Sequence, residues 1–161
     1  MPDAPHPNVE RVMRAAADAG LSISVQRFGV ETRTASDAAR AVGCEVGQIV
    51  KSLVFIADGA GVVALLSGAH RLDTDRMAAH LGAADVRRAT GDEARQATGY
   101  AIGGVPPIGH TNRLPVLMDE GLLEHDVVWA AAGLPDAVFS AEPRALASAA
   151  GASIATLAER G

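Results

Sequence analysis

One cysteine, one tryptophan, one tyrosine, three phenylalanines and a single lysine are all that this 161-residue chain holds of five chemically telling residue types. With Cys44 alone there is no intramolecular disulfide and no cysteine-based zinc cluster. Aromatic residues at 3% exclude a base-stacking platform for single strands, which needs several exposed rings. Cations are outnumbered, 14 Lys and Arg against 19 Asp and Glu, for a formal net charge of −5. Proteins that grip nucleic acid along its length are usually basic. A nucleic-acid partner would therefore be met by a local patch or delivered by another protein. The first residues show no basic region followed by an apolar one, so no signal peptide is expected. No charge-free apolar run reaches membrane-spanning length. The expectation is a cytoplasmic chain with no membrane partner.

What is present is a globular composition, 48% apolar and 20% charged, in a length that suits one domain. Residues 1–7 read as a Pro-rich flexible tail and 8–161 as a single domain. Asn8 is placed to cap a first helix with an apolar stripe of Val9, Val12, Met13, Ala16 and Ala17, ended by Gly20. Leu21, Ile23 and Val25 alternate with polar residues as a strand would. Thr34 and Asp37 open an Ala-rich helix that stops near Gly43. The turn residues Asp58-Gly59-Ala60-Gly61 join a strand around Lys51 to Val62–Leu66, a hairpin pattern. A helix is expected from Asp73 to Gly82, with Leu72 and Met77 as staple, and another from the capping box Thr90/Glu93 to Gly99. Val116–Met118, Asp126–Ala131 and Ala137–Phe139 read as strands. A last helix begins near Pro143, and Ile154 and Leu157 close the fold. Irregular interleaving with a hairpin argues for an α+β fold: one curved mixed β-sheet flanked by helices.

The single lysine, Lys51, stands in Ile49-Val50-Lys51-Ser52-Leu53-Val54-Phe55-Ile56. An ammonium among strand-forming aliphatics is costly to desolvate without a partner. Arginine serves wherever else this chain needs a cation. Lys51 is therefore the first functional candidate, against the plain alternative that it snorkels at a strand end. Ser52 points to the opposite face, so a direct Ser-Lys dyad is not expected.

Other motifs weigh less. Gly59-Ala60-Gly61-Val62-Val63-Ala64 has the spacing of a dinucleotide loop, but Val62 and Val63 continue as strand where that loop needs a helix. Cys44 reads as an inert buried thiol. His70, His110 and His125 with Asp73 and Asp119 lack metal-ligand spacing, so no metal is expected. Arg87, Arg88 and Arg95 read as a solvated face. The segment Gly103-Gly104-Val105-Pro106-Pro107-Ile108-Gly109-His110 is different. Its glycines let a ligand approach the main chain, and its prolines stiffen the loop. It reads as a binding loop that presents N–H and C=O groups to a small polar substrate.

Lys51 in its apolar strand, Gly99-Tyr100 leading into Gly-Gly-Val-Pro-Pro-Ile-Gly-His, and Val128-Trp129-Ala130-Ala131-Ala132-Gly133 together resemble the YbaK family. These are free-standing relatives of the editing domain inserted in bacterial prolyl-tRNA synthetases. The resemblance covers nearly the whole chain. It implies a trans-acting aminoacyl-tRNA deacylase that hydrolyses the ester of mischarged tRNA, of the tRNA(Pro) type, without metal or cofactor. It implies that Lys51 is needed for deacylation, that Gly103 and Pro107 shape the pocket, and that Phe28 lines it. Members of the cysteinyl-tRNA type carry Gly-Gly-x-Ser-Pro where this chain has Pro106, and some have Ser at the Ala131 position. The reaction type carries over and the amino acid stays open.

The candidate site is thus Lys51, Gly103 and Gly104 as the catalytic set. Phe28, Ser52, Val105, Pro106, Pro107, Gly109, His110, Ala131 and Gly133 form the substrate-binding set. The reaction suits such sparse means, because a synthetase pocket discriminates one methylene by only ~1–3 kcal/mol and a second site must remove the error. The target is an activated ester, so an oriented water and donors near the oxyanion suffice. The expected donors are the Gly103 and Gly104 N–H groups, with Lys51 holding loop carbonyls or the terminal adenosine phosphate. Expected partners are the 3′ end of aminoacyl-tRNA, bound weakly, and a synthetase that supplies the missing affinity; the oligomeric state is open. Two alternatives stand: a non-catalytic module for an aminoacyl or nucleotide moiety, and a small-molecule esterase using Cys44.

Overall fold

A computed structural model describes residues 6–28 and 34–159. Residues 1–5 of the expected tail lie outside that range. Helix α1 (Pro7–Asp18) begins one residue before Asn8: the His6 ring accepts the Asn8 N–H at 3.0 Å, and Pro7 occupies the first turn, where its missing donor costs nothing. Its buried stripe is narrower than expected. Val9, Val12 and Ala16 are buried, whereas Met13 is 39% exposed and Ala17 faces solvent.

Local signals placed the other helices well. Helix α2 (Ala35–Val42) starts at Thr34, whose hydroxyl accepts the Asp37 N–H, and ends at Gly43 in the left-handed region. Helix α3 (Thr74–Leu81) is capped by the Asp73 carboxylate. Helix α4 (Gly91–Thr98) has the reciprocal Thr90/Glu93 box, and α5 (Pro143–Ala150) is capped by Glu142.

The strands are β1 (Val25–Arg27), β2 (Val50–Ala57), β3 (Ala60–Ser67), β4 (Val86–Arg88), β5 (Val116–Asp119), β6 (Val128–Ala131), β7 (Ala137–Ala141) and β8 (Ser153–Ala155). Strands β2 and β3 form the expected antiparallel hairpin. Asp58 and Gly59 both have positive φ, 47° and 85°, which matches the strand twist of a two-residue turn. The α+β mixed architecture is as expected, and the strands divide into two sheets. One has the order β4-β2-β3-β5-β8, with β3, β5 and β8 parallel; the other is antiparallel, β1-β7-β6. A parallel bridge between Ile49 and Trp129 links them. Strands β4 and β8 escape sequence patterning because three residues show no period. The strand expected at Leu21–Val25 pairs only from Val25 onward.

Strand β2 is sandwiched between two apolar clusters. Val50 and Val54 face the main core with α1, β6 and β7, while Phe55 and Ala57 join Met77, Leu117 and Leu157 in a second one under α3. Leu157 thus closes the fold as expected, and Ile154 remains 41% exposed. The second core is held from below by a polar staple. Asp119 is 2% exposed, and its carboxylate accepts the N–H groups of Leu157 at 2.7 Å, Ala158 at 3.0 Å and Gly121 at 3.0 Å. Removing it strands buried donors, each worth about 1–3 kcal/mol. Asp119→Ala should therefore lower the urea midpoint by the equivalent of about 2–4 kcal/mol. A midpoint within error of the parent would show that the C-terminal segment is held by apolar contacts alone.

Candidate active site

The two sheets do not close against each other along the whole of β2. Strand β4 pairs only with Phe55–Ala57, so the first half of β2 presents a free edge. In an antiparallel ladder, alternate residues turn both polar main-chain groups to the same side. The Val54 carbonyl accepts from Ala89 N–H at 3.0 Å on the β4 side. By the same alternation the Ser52 N–H and C=O point to the edge that β4 leaves uncovered. A cavity of about 630 Å³ lies along that edge, walled by β2, β6, the residue 102–105 loop, Arg71 and Leu72, and α2. Its size suits a small ligand.

Lys51 lines this cavity and is half-buried. Its Nζ donates to the His70 carbonyl at 2.5 Å, not to a carbonyl of the glycine loop. No carboxylate pairs with it among the described residues. Burial first, then the positive charges of Arg88 and Arg71, hold its pKa below the ordinary lysine value. The site is therefore an electropositive, partly desolvated recess with one fixed ammonium. Such a recess favours an anionic or oxyanionic ligand.

Lys51, Ser52, Gly103, Val105 and Ala131 come together around the cavity. Ser52 Oγ is buried and has no hydrogen-bond partner among the described residues. Gly103 is in the left-handed region at φ 95°, and its N–H has no partner among the described residues. The Gly104 N–H, by contrast, is donated to the Ala101 carbonyl at 3.0 Å.

Phe28, Gly104, Pro106, Pro107, Gly109, His110 and Gly133 lie outside the cavity lining, and all but Phe28 belong to the loop and turn that frame it. A Cβ on Gly104 would sit 3.0 Å from Leu134 Cα and 3.1 Å from the Gly133 carbonyl oxygen. A Cβ on Gly133 would in turn sit 2.9 Å from the Asn8 carbonyl oxygen. Three backbone segments thus cross at van der Waals contact, pinned by Asn8 Nδ2 donating to Gly133 O at 3.1 Å. Pro106 and Pro107 are buried. Tyr100 OH donates to Gly109 O at 2.7 Å, and His110 Nε2 meets Pro106 O at 2.7 Å. A carbonyl can only accept, so Nε2 carries the proton. Burial holds the imidazole pKa below the ordinary histidine value, with the Pro106 bond opposing in part. His110 is a neutral strut of the loop. Phe28 donates its N–H to Asp136 O at 2.9 Å, beside β7.

Three lining residues stand outside the expected site set: Trp129 on β6, Arg71 and Arg88. The solvated-face reading holds for Arg87, which pairs with both Glu93 oxygens at 2.7 Å. Arg88 is exposed as well, and its guanidinium also stacks 5.5 Å from the Phe55 ring centroid at the cavity wall. The strand alternation of β4 sends the two arginines to opposite faces. Cys44 lies outside the cavity lining. Its thiol donates to the Glu45 carbonyl at 3.3 Å, and burial pushes its pKa up, so it is poorly ionised for attack. Among the described residues, no cluster of His, Cys, Asp and Glu is arranged to hold a metal ion, and no helix is long and apolar enough to cross a membrane.

Residues 30–149 match the family described as the aminoacyl-tRNA editing domain. The chain belongs to that family. A crystal structure described as a trans-editing enzyme for prolyl tRNA synthetase superposes with a TM-score of 0.91. It is 45% identical, and the match covers 98% of this chain and 100% of that one. A proline–tRNA ligase of Citrifermentans bemidjiense is 34% identical over 90 residues, 56% of this chain but 16% of the ligase. The chain thus spans a small part of the ligases it matches. A protein of Enterococcus faecalis named as a Cys-tRNA(Pro)/Cys-tRNA(Cys) deacylase, EbsC, is 29% identical over 116 residues, 71% of each chain.

Two outcomes follow from this geometry. Because the chain has one lysine, protein labelled with [¹³Cε]lysine gives a single side-chain NMR resonance. Its titration midpoint should fall below the ordinary lysine value. Folding stability should then rise with pH in the alkaline window between the folded and unfolded midpoints, where the unfolded chain binds more protons. A midpoint at or above the ordinary value contradicts the partly desolvated recess. Separately, Gly104→Ala should cost about 1–3 kcal/mol in denaturant unfolding, as overpacking against backbone does; an unchanged midpoint would mean that the 133–134 turn yields freely.

Proposed function

We propose that this chain is a trans-acting aminoacyl-tRNA deacylase, acting on the ester between a wrong amino acid and the terminal adenosine of a tRNA(Pro)-type acceptor. One observation carries the reading: an ammonium held by a carbonyl lines a small recess together with Gly103, and among the described residues the ammonium has no carboxylate partner and the Gly103 N–H no acceptor. Family membership supports the reaction class. The prolyl-tRNA context of the relatives supports the acceptor.

The chemistry asks little of side chains. Water adds to the ester carbonyl and the carbonyl oxygen gains negative charge; the bond to the ribose oxygen then breaks as that oxygen takes up the proton the water gives up, which leaves the free amino acid and the ribose hydroxyl. The Gly103 N–H donates to the developing oxyanion, with the Ser52 main-chain N–H on the neighbouring strand edge. Lys51, oriented by the His70 carbonyl, directs its remaining N–H groups at negative charge in the recess, the terminal adenosine phosphate included. The neighbouring ribose hydroxyl of the substrate helps to orient the water. Val105, Ala130, Ala131 and Ala137 leave a small apolar space for the amino-acid side chain. Among the described residues, the Ser52 hydroxyl is a buried side-chain group there that a bound molecule could relieve of an unmade hydrogen bond. A synthetase partner supplies affinity that an acidic protein lacks for tRNA.

A second reading, a non-catalytic module binding an aminoacyl or nucleotide moiety, draws on Pro106 and Ala131, where hydroxyls are missing. A panel of mischarged tRNAs separates the two, since an editor releases the amino acid and a binder protects the ester. Lys51→Ala should lower deacylation by ~100-fold or more with an unchanged circular dichroism spectrum. Iodoacetamide at Cys44 should leave turnover intact. A folded Lys51→Ala protein with parental turnover would falsify the assignment of Lys51.

A further inference from the structure

Resting on that reading, we propose that Arg71 and Arg88 form, with Lys51, a phosphate-binding rail for the single-stranded 3′ end of the tRNA. The rail would take the phosphodiesters just before the terminal adenosine.

The argument starts from register. Phe55 pairs directly with Arg88 across β2 and β4, so their side chains share a face. Lys51, four residues earlier on β2, shares it too. Along β2 this places the Lys51 and Phe55 backbones about 13 Å apart, and Arg88 lies beside Phe55 on the next strand. Arg71 follows His70, whose carbonyl holds the lysine ammonium. All three cations line the same cavity. No carboxylate pairs with any of them among the described residues, although neighbours of both arginines are paired: Arg76 with Asp73, and Arg87 with Glu93. Glu159 shares the lining and donates its main-chain N–H to Arg71 O at 2.7 Å, without an ion pair. Arg88 is held by its stacking on Phe55, which leaves the edges of its guanidinium free to donate.

A chain of net charge −5 that lines one cavity with three cations, none paired with a carboxylate among the described residues, has built a site for anions. A single carboxylate would engage only one end of a row this long. Successive phosphates of an extended polynucleotide match it. The division of labour then follows: the ester end meets Lys51 and Gly103, and the preceding nucleotides meet the arginines.

The test compares two substrates bearing the amino acid released fastest in the panel: an aminoacylated minihelix ending in CCA, and the same amino acid esterified to adenosine alone. In Arg71→Gln/Arg88→Gln, kcat/KM for the minihelix should fall at least ~10-fold more than for aminoacyl-adenosine. The loss should sit in KM. The slope of log KM against log salt should shrink by about 0.7 for each arginine removed. Arg71→Lys/Arg88→Lys should recover most of the loss, and melting temperatures show that each variant is folded. Equal effects on both substrates overturn the rail. If the parent hydrolyses neither substrate, the deacylase reading fails. The rail is then decided by quenching of Trp129, the only tryptophan, with an uncharged CCA-ended oligonucleotide. Salt-sensitive binding weakened in the double Gln variant upholds it; absent or unaltered binding overturns it.

Discussion

A half-buried ammonium with no carboxylate partner among the described residues is the constraint from which the rest of this molecule can be read. Lys51 sits on the strand that both apolar clusters share, so it cannot swing clear of the protein without losing the His70 carbonyl that anchors it. Desolvation and two nearby guanidinium groups work against its charge. A cation desolvated in this way is stabilised by an arriving anion. That is the physical basis for placing substrate there.

The glycine-proline loop is the second constraint, and its logic divides between two adjacent residues. Gly103 lines the recess in the left-handed region, and its N–H has no partner among the described residues. Gly104 is needed because the 133–134 turn passes against it, and Gly133 is needed because α1 passes against that turn in its turn. The loop is therefore rigid by stacking of backbone on backbone, with Tyr100 and His110 as hydrogen-bonded struts. A preorganised donor loses little on engaging an oxyanion, which is why such rigidity serves catalysis better than a flexible polar side chain.

Much of the fold was legible because it is encoded locally. Thr34, Asp73, and Thr90 with Glu93 cap helices by bonds that span three residues or fewer, and Asp58-Gly59 makes a turn by its own backbone preference. Strands β4 and β8 were not legible. Each is three residues long, and pairing partners far along the chain decide their existence. The same limit applied to the site. Lys51 drew attention by being alone, and the loop by its composition. Arg71 and Arg88 carry no local mark of their role.

By itself the amino-acid sequence determined the α+β class, the hairpin bearing the lysine, the stiff glycine-rich loop and a resemblance to tRNA-editing proteins. These depend on short-range propensity and on residue scarcity. Only the tertiary structure decided that β4 stops short of the first half of β2, that the open edge becomes a recess, and that Arg88 faces it while Arg87 turns away. Those facts arise from pairing between distant strands, where a register of one residue selects the face on which each side chain lies.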